Sequence, residues 1–246
     1  MLHRHIALCL SLVCLALTLL SGCGDGESRL PDYDYRIDIE HFEDAIMQNS
    51  DKYLLLANKQ HPLGATYVPE ALCTLDASLT LYGKEIQLEE SAALAVEALV
   101  RELWACGYTD IVVTSGYRSY GYQQSLFYTY IEKEKSNYPD WSDAEAEAYV
   151  LTYSARPGTS EHQTGLCVDL ISTNYVSLDE SFAQNPAYAW LCANAHYFGF
   201  ILRYPQGKQA IVGYGYEPWH YRFVGVEAAT SMHESGLTLE EYLDKI

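Results

Sequence analysis

Over a short stretch the chain changes its hydrophobic period, and that change limits the folds open to it. Leu88, Ala92, Ala95, Leu99 and Leu103 recur at three- and four-residue steps and Gly107 follows as a stop, which predicts a helix over residues 88–105. Soon after, Ile111, Val112, Val113 and Thr114 form a β-branched run. It ends at Ser115 and Gly116, as a short buried strand does when it feeds a turn, here one that presents Tyr117, Arg118 and Ser119. A helix that buries one stripe, next to a strand too short to pack alone, calls for layers of both kinds.

The rest of the chain continues in that manner. A helix is expected over residues 121–135. Ser142 with Glu145 forms a capping-box pattern for another over 143–154, and Asn185 with Pro186 opens one that Gly199 closes. Residues 165–171, 200–204 and 219–224 read as strands, and Thr238 with Glu241 starts a last helix. Short strands joined by tight turns favour an α+β fold, with a small central antiparallel sheet flanked by helices, over a doubly wound one.

The N-terminus reads as a targeting segment. His3, Arg4 and His5 precede an apolar run from Ile6 to Leu20, short for a spanning helix, and Leu20-Ser21-Gly22-Cys23 follows. That ending resembles a bacterial lipoprotein signal, which implies a leader over 1–22, a lipid on Cys23 and an extracytoplasmic protein held at the cell membrane. Residues 23–40 are polar and without a sustained apolar period, the pattern of a flexible tether, which leaves 41–246 as one folded domain.

The formal net charge is −18 at pH 7, and the leader carries a single charged residue, Arg4. An acidic body of this size excludes nucleic acid as a partner and repels an anionic lipid surface, so membrane attachment falls to the lipid. Of seven cysteines, four remain past Cys23: Cys73, Cys106, Cys167 and Cys192. Their spacing fits neither a zinc knuckle nor a redox pair, and both disulfides and buried free thiols stay open.

Two segments carry chemistry. In Ser160-Glu161-His162-Gln163-Thr164-Gly165-Leu166-Cys167-Val168-Asp169, a turn holds an imidazole and an apolar strand holds a carboxylate. A charge in a core strand needs a cation, either an arginine or a metal ion. Glu217-Pro218-Trp219-His220 adds a second imidazole and another carboxylate. His162, Asp169 and His220 would make a three-ligand zinc site with a fourth position open, and Glu217 would remain as the base. Spacing alone leaves this undecided, because H-E-x-x-H is absent.

These two segments, with Ser115-Gly116-Tyr117-Arg118-Ser119-Tyr120-Gly121-Tyr122-Gln123, Phe198-Gly199-Phe200 and Arg203-Tyr204-Pro205, resemble the D-alanyl-D-alanine carboxypeptidases of the VanY type and their LD-carboxypeptidase relatives. The resemblance implies the zinc D-Ala-D-Ala carboxypeptidase (hedgehog-like) fold and one Zn2+ per chain on His162, Asp169 and His220. It also implies Glu217 as acid/base, and Arg118 either clamping the substrate carboxylate or stabilising the oxyanion. Gln123, Ser160 and Tyr204 fall on substrate contacts by the same similarity.

Cys167 and Gly121 depart from that pattern, where alanine and an acidic residue are common. Cys167 lies on the same strand side as Asp169, which places it either near the metal or in the core as a small hydrophobe. Trp219 reads equally as pocket wall and as core.

The implied activity is removal of the C-terminal D-alanine from peptidoglycan stem peptides by a monomer. The alternatives are an LD-carboxypeptidase acting on the tetrapeptide and a catalytically silent peptidoglycan-binding lipoprotein. A serine hydrolase lacks its nucleophile elbow here.

Overall fold

The computed structural model describes residues 30–246. The leader expected over 1–22 and Cys23 lie outside them. The described chain runs through α1 (Glu43–Ile46), β1 (Leu72–Thr74), β2 (Gln87–Glu89), α2 (Glu90–Ala105), β3 (Ile111–Ser115), α3 (Tyr120–Asn137), α4 (Asp143–Val150), β4 (Cys167–Ser172), α5 (Pro186–Asn194), β5 (Phe200–Leu202), α6 (Gln209–Val212), β6 (His220–Phe223), α7 (Val226–Ser235) and α8 (Leu239–Leu243). The fold is α+β, as the changing period requires.

The main sheet has the order β3-β4-β6-β5 and is antiparallel throughout. β4 lies inside it with all six residues buried, so it reads in sequence as an apolar run from Cys167 to Ile171, broken only by Asp169 and closed by Ser172. Its register sets Cys167 opposite Arg222 and Asp169 opposite His220. The second sheet is the pair β1 and β2.

α2 covers the sheet. Ala92, Ala95, Val96, Leu99 and Leu103 share one core with Val113, Val168 and Leu170 of the sheet and with Phe198, Phe200, Tyr221 and Phe223. Leu99 and Leu103 are fully buried, and truncating either to alanine costs about 2–5 kcal/mol. Two satellite cores extend this body. One packs Val224, Ala228, Ala229, Met232 and Leu239 under Ile201, and the other joins Phe127 and Ile131 of α3 to Ala146 and Val150 of α4. Among the described residues no helix is long and apolar enough to cross a membrane.

Four expectations are corrected. The tether expected through residue 40 ends earlier, because Leu30, Tyr33, Tyr35, Ile37 and Ile39 pack against the core. Glu102, fully buried on α2, accepts the backbone N–H groups of Arg36 and Ile37, which ties that segment down. α2 starts at Glu90 rather than Leu88 because residues 87–89 pair with β1, and the Glu89 side chain caps the helix by accepting from Ser91 and Ala92 N–H. α4 stops at Val150, so residues 151–154 form turns. Trp219 precedes β6 instead of belonging to it. Both capping boxes, Ser142 with Glu145 and Thr238 with Glu241, are formed. The four cysteines past residue 30 carry free thiols.

Candidate metal centre and active-site cavity

His162 sits in the one-turn 3-10 helix Glu161–Thr164, which Gly165 ends in the left-handed region at φ 69° before β4 begins. The turn is locked to the neighbouring loop. Arg118 N–H donates to the His162 carbonyl, Tyr117 N–H donates to Gln87, and Glu89 N–H donates to Gly165. Gly116 has to be glycine, since a Cβ there would lie 2.6 Å from the Gln87 carbonyl oxygen. Its own carbonyl, 2.7 Å away, accepts from His162 Nδ1 and thereby leaves Nε2 as the free lone pair.

β4 and β6 bring the other two predicted ligands to that nitrogen. Asp169 Oδ2 is 3.4 Å from His162 Nε2 and Asp169 Oδ1 is 3.0 Å from His220 Nδ1. The two imidazole rings stand nearly perpendicular, at 88°, with centroids 4.9 Å apart. Metal-ligating atoms of His162, Cys167 and His220 also fall within 4.8 Å of one another, so the two histidines are shared between an Asp-containing and a Cys-containing donor group. All four residues are buried. Two imidazoles and a carboxylate, with the far nitrogen of each ring already engaged, are the donors a catalytic zinc takes.

The far nitrogen of His220 is engaged by a residue that sequence reasoning did not assign a role. Glu161 Oε1 lies 2.7 Å from His220 Nε2, while its Oε2 accepts from Arg203 Nε at 2.9 Å and from Arg222 Nη1 at 3.0 Å. Arg203 continues to Glu240 on α8 through two bonds of 2.7 and 2.8 Å, and Arg222 caps the carbonyls of Tyr53 and Leu55. Glu161, Arg203 and Arg222 have fully buried side chains. Burial opposes charge on Glu161, yet Arg203, His220 and Arg222 together hold its carboxyl far below the usual range.

Asp169, for which an arginine partner was one expectation, faces the histidines instead, and the arginines go to Glu161. Burial and Arg118 oppose a proton on His162, but Cys167 and Asp169 carry it up to about 9. Burial opposes a proton on His220 as well, but Cys167 and the bonds to Asp169 and Glu161 hold it well above its ordinary value. In the absence of metal both rings therefore keep protons that a metal displaces.

The donors form one wall of a cavity of about 530 Å³, and the remaining predicted residues line it too: Arg118, Gln123, Ser160, Tyr204 and Glu217. Glu217 Oε2 is 3.6 Å from His220 Nδ1, and burial first of all pushes its carboxyl up to about 7, in the range of a working general base. Arg118 Nη1 donates to Gln123 Oε1 at 3.1 Å. Gln123 Nε2 in turn donates to the Ala155 carbonyl at 2.8 Å, so Gln123 aims the guanidinium. Arg118 Nε is buried without a partner. Tyr204 packs on the His220 ring, 4.8 Å between centroids, with the Arg203 guanidinium 5.0 Å from the tyrosine ring. Trp219 serves both readings, lining the cavity and packing on the core.

Comparison with known proteins accords with this geometry. A Bacillus subtilis relative, YodJ, is 35% identical over 231 residues, covering 89% of this chain and 80% of its own. The LdcB LD-carboxypeptidase, whose structure was described for its peptidoglycan recognition, superposes with a TM-score of 0.68 at 36% identity over 79% of this chain and 86% of that one. A vancomycin resistance D,D-pentapeptidase VanY, solved as a variant in complex with Zn(II), gives 0.65 at 38% identity over 78% of this chain and 99% of that one. The family model for D-alanyl-D-alanine carboxypeptidases matches residues 85–226, the span that holds every predicted ligand and cavity residue. The chain belongs to the VanY family of D-alanyl-D-alanine carboxypeptidases.

Proposed function

We propose that this protein is a zinc-dependent D-alanyl-D-alanine carboxypeptidase that removes the C-terminal D-alanine from peptidoglycan stem peptides. The observation that carries the reading is the convergence of His162, Asp169 and His220 on one cavity wall, with Glu217 beside them and Arg118 lining the same cavity. His162 through Nε2, His220 through Nδ1 and Asp169 would hold the metal. When bound, zinc supplies Lewis acidity, polarising a carbonyl and acidifying water.

The chain's own residues do the rest. Glu217, with its carboxyl raised to about 7, takes a proton from the attacking water and returns it to the departing amine of D-alanine. Arg118, held by Gln123, presents a fixed cation to either the terminal carboxylate or the developing oxyanion. Gly116 and Glu161 keep the proton of each imidazole on the nitrogen away from the site. Ser160 and Tyr204 shape the wall around the scissile residue.

The test is release of D-alanine from a stem pentapeptide and a stem tetrapeptide by the purified chain, with and without a chelator. Release that needs the metal supports the reading. No release from either peptide by folded, zinc-loaded protein overturns it and favours a silent peptidoglycan-binding role. The likeness to LdcB supports a second specificity, LD cleavage of the tetrapeptide, and the ratio of the two rates separates them.

The lipobox-like ending at Cys23 supports an extracytoplasmic protein anchored in the bacterial membrane by lipid. Residues 24–29 would then lie between the lipid and Leu30, the first packed residue among those described, and six residues span at most about 20 Å. The body would work close to the membrane, where precursors and nascent wall lie. Cys23→Ala should move the protein from the membrane fraction to the soluble fraction, and an unchanged distribution refutes the anchor.

A further inference from the structure

The metal-centre reading above rests on His162, Asp169 and His220, but another donor stands among them. Cys167 is fully buried, and the β4 alternation points it to the same side as Asp169, two residues on. The antiparallel register places it across from Arg222, the neighbour but one of His220, and β4 begins just past the turn that carries His162. Its sulfur lies within 4.8 Å of a ring nitrogen of both histidines, and those nitrogens lie within the same distance of each other. Bond lengths of about 2.3 Å to sulfur and about 2.0–2.1 Å to nitrogen put tetrahedral donors about 3.3–3.6 Å apart, so a small inward adjustment brings all three to one ion.

The side from which the thiol approaches matters as much as the distance. His162, Asp169, His220 and Glu217 line the cavity, and Cys167 does not. The sulfur therefore meets the centre on its buried side, away from the cavity, and a water on the cavity side beside Glu217 would be the fifth ligand of an expanded coordination sphere. A thiolate is also a different kind of donor from imidazole and carboxylate, being soft and charged, and it favours zinc, cadmium and other thiophilic ions.

We propose that, resting on the metal-centre reading above, Cys167 is a further protein ligand of this metal centre, giving a donor set of two imidazoles, one carboxylate and one thiolate. The consequence is a centre that holds thiophilic divalent cations more tightly than a two-histidine, one-carboxylate site does.

The experiment is cobalt substitution of the purified, metal-free full chain, followed by electronic absorption, in parallel with Cys167→Ala and Cys167→Ser. Visible d–d bands report cobalt in the site whatever its ligands, whereas a near-ultraviolet sulfur-to-cobalt charge-transfer band reports the thiolate alone. The expected result is both bands in the parent and only the visible bands in each variant. A companion competition titration should then show Cd2+ affinity falling at least about tenfold more than Zn2+ affinity on loss of the thiol.

Visible bands in the parent without a near-ultraviolet band overturn the thiol ligand and leave the metal centre standing. Absence of both bands overturns the metal centre and the thiol with it. A near-ultraviolet band that persists in Cys167→Ala and Cys167→Ser assigns the sulfur to another cysteine and equally overturns the proposal. Serine keeps nearly the volume of cysteine, so it carries the test if alanine leaves the strand poorly packed.

Discussion

Replacing Glu161 by alanine should damage stability and metal binding together, by separable amounts. The side chain is fully buried and serves His220 at 2.7 Å, Arg203 at 2.9 Å and Arg222 at 3.0 Å. Removing one partner of a buried ion pair costs about 3–5 kcal/mol, because the charge left behind stays desolvated. Arg203 keeps both bonds to Glu240, and Arg222 keeps the carbonyls of Tyr53, Leu55 and Phe223, which places the loss near the lower end of that range. For a chain of this size a loss of about 3 kcal/mol lowers Tm by about 6–12 °C. Zinc affinity should fall about 10–100-fold, since His220 loses the acceptor that keeps its proton on Nε2 and its lone pair on Nδ1.

Glu240→Ala is the control for that pair of effects. It removes the other partner of Arg203 but touches nothing on His220, so Tm should fall while zinc affinity holds. The assays are thermal unfolding of the metal-free proteins and competition for zinc against a chromophoric chelator. Folded Glu161→Ala binding zinc as tightly as the parent would falsify the positioning role. So would Glu240→Ala losing as much zinc affinity as Glu161→Ala.

Glu217→Gln should lower the rate of D-alanine release about 10²–10⁴-fold while zinc stays bound, and near-parental turnover would remove Glu217 from the mechanism. Arg118→Lys separates the two roles of the guanidinium: a raised KM with kcat preserved identifies a carboxylate clamp, a lowered kcat identifies oxyanion stabilisation, and unchanged kinetics refute both. Gly116→Ala forces a Cβ to 2.6 Å from the Gln87 carbonyl, so about 1–3 kcal/mol of stability should be lost together with zinc affinity as the acceptor of His162 Nδ1 shifts. A parental Tm there contradicts the close approach. Because His162 is raised to about 9 without metal, apparent zinc affinity should climb as pH rises toward that value and zinc binding should release protons. Calorimetry in buffers of different ionisation enthalpy measures the release, and buffer-independent heats would rule it out.

The parts legible in the sequence were those whose signal is local. The period-3.6 stripe of α2, the β-branched run of β3 and the two capping boxes each need only neighbouring residues to be seen. The set His162, Asp169 and His220, which the sheet brings together, was left undecided by spacing and was picked out through the resemblance of its segments to the VanY-type carboxypeptidases. Residues 30–40 misled because Asp and Pro among tyrosines look like a tether. The clue lay elsewhere, in Glu102, a carboxylate on the buried face of α2 three residues after Leu99. A carboxylate there had to find N–H donors, and those of Arg36 and Ile37 answer it. α7 went unread because small residues on its buried face, Ala228 and Ala229, give a weak stripe.

Glu161 was hidden for a different reason. Its partners are 42, 59 and 61 residues away, and no periodicity links them. Only the assembled sheet brings them together, yet the pattern they make has an electrostatic logic. Glu161 and Glu240 offset Arg203 and Arg222, so that layer is neutral by itself. The layer nearer the cavity holds Asp169 and two imidazoles, both raised so that they keep protons in the metal-free protein. Two imidazolium protons and one divalent cation carry the same charge. Exchanging the two imidazolium protons for zinc thus leaves the buried carboxylates Asp169 and Glu161 neutralised to the same degree in both states, and only a proton leaving Cys167 as it becomes a ligand would change the buried charge. The fold need not rearrange its buried charges to take up the metal, which is how a centre with so many buried ionised groups can form before the ion arrives.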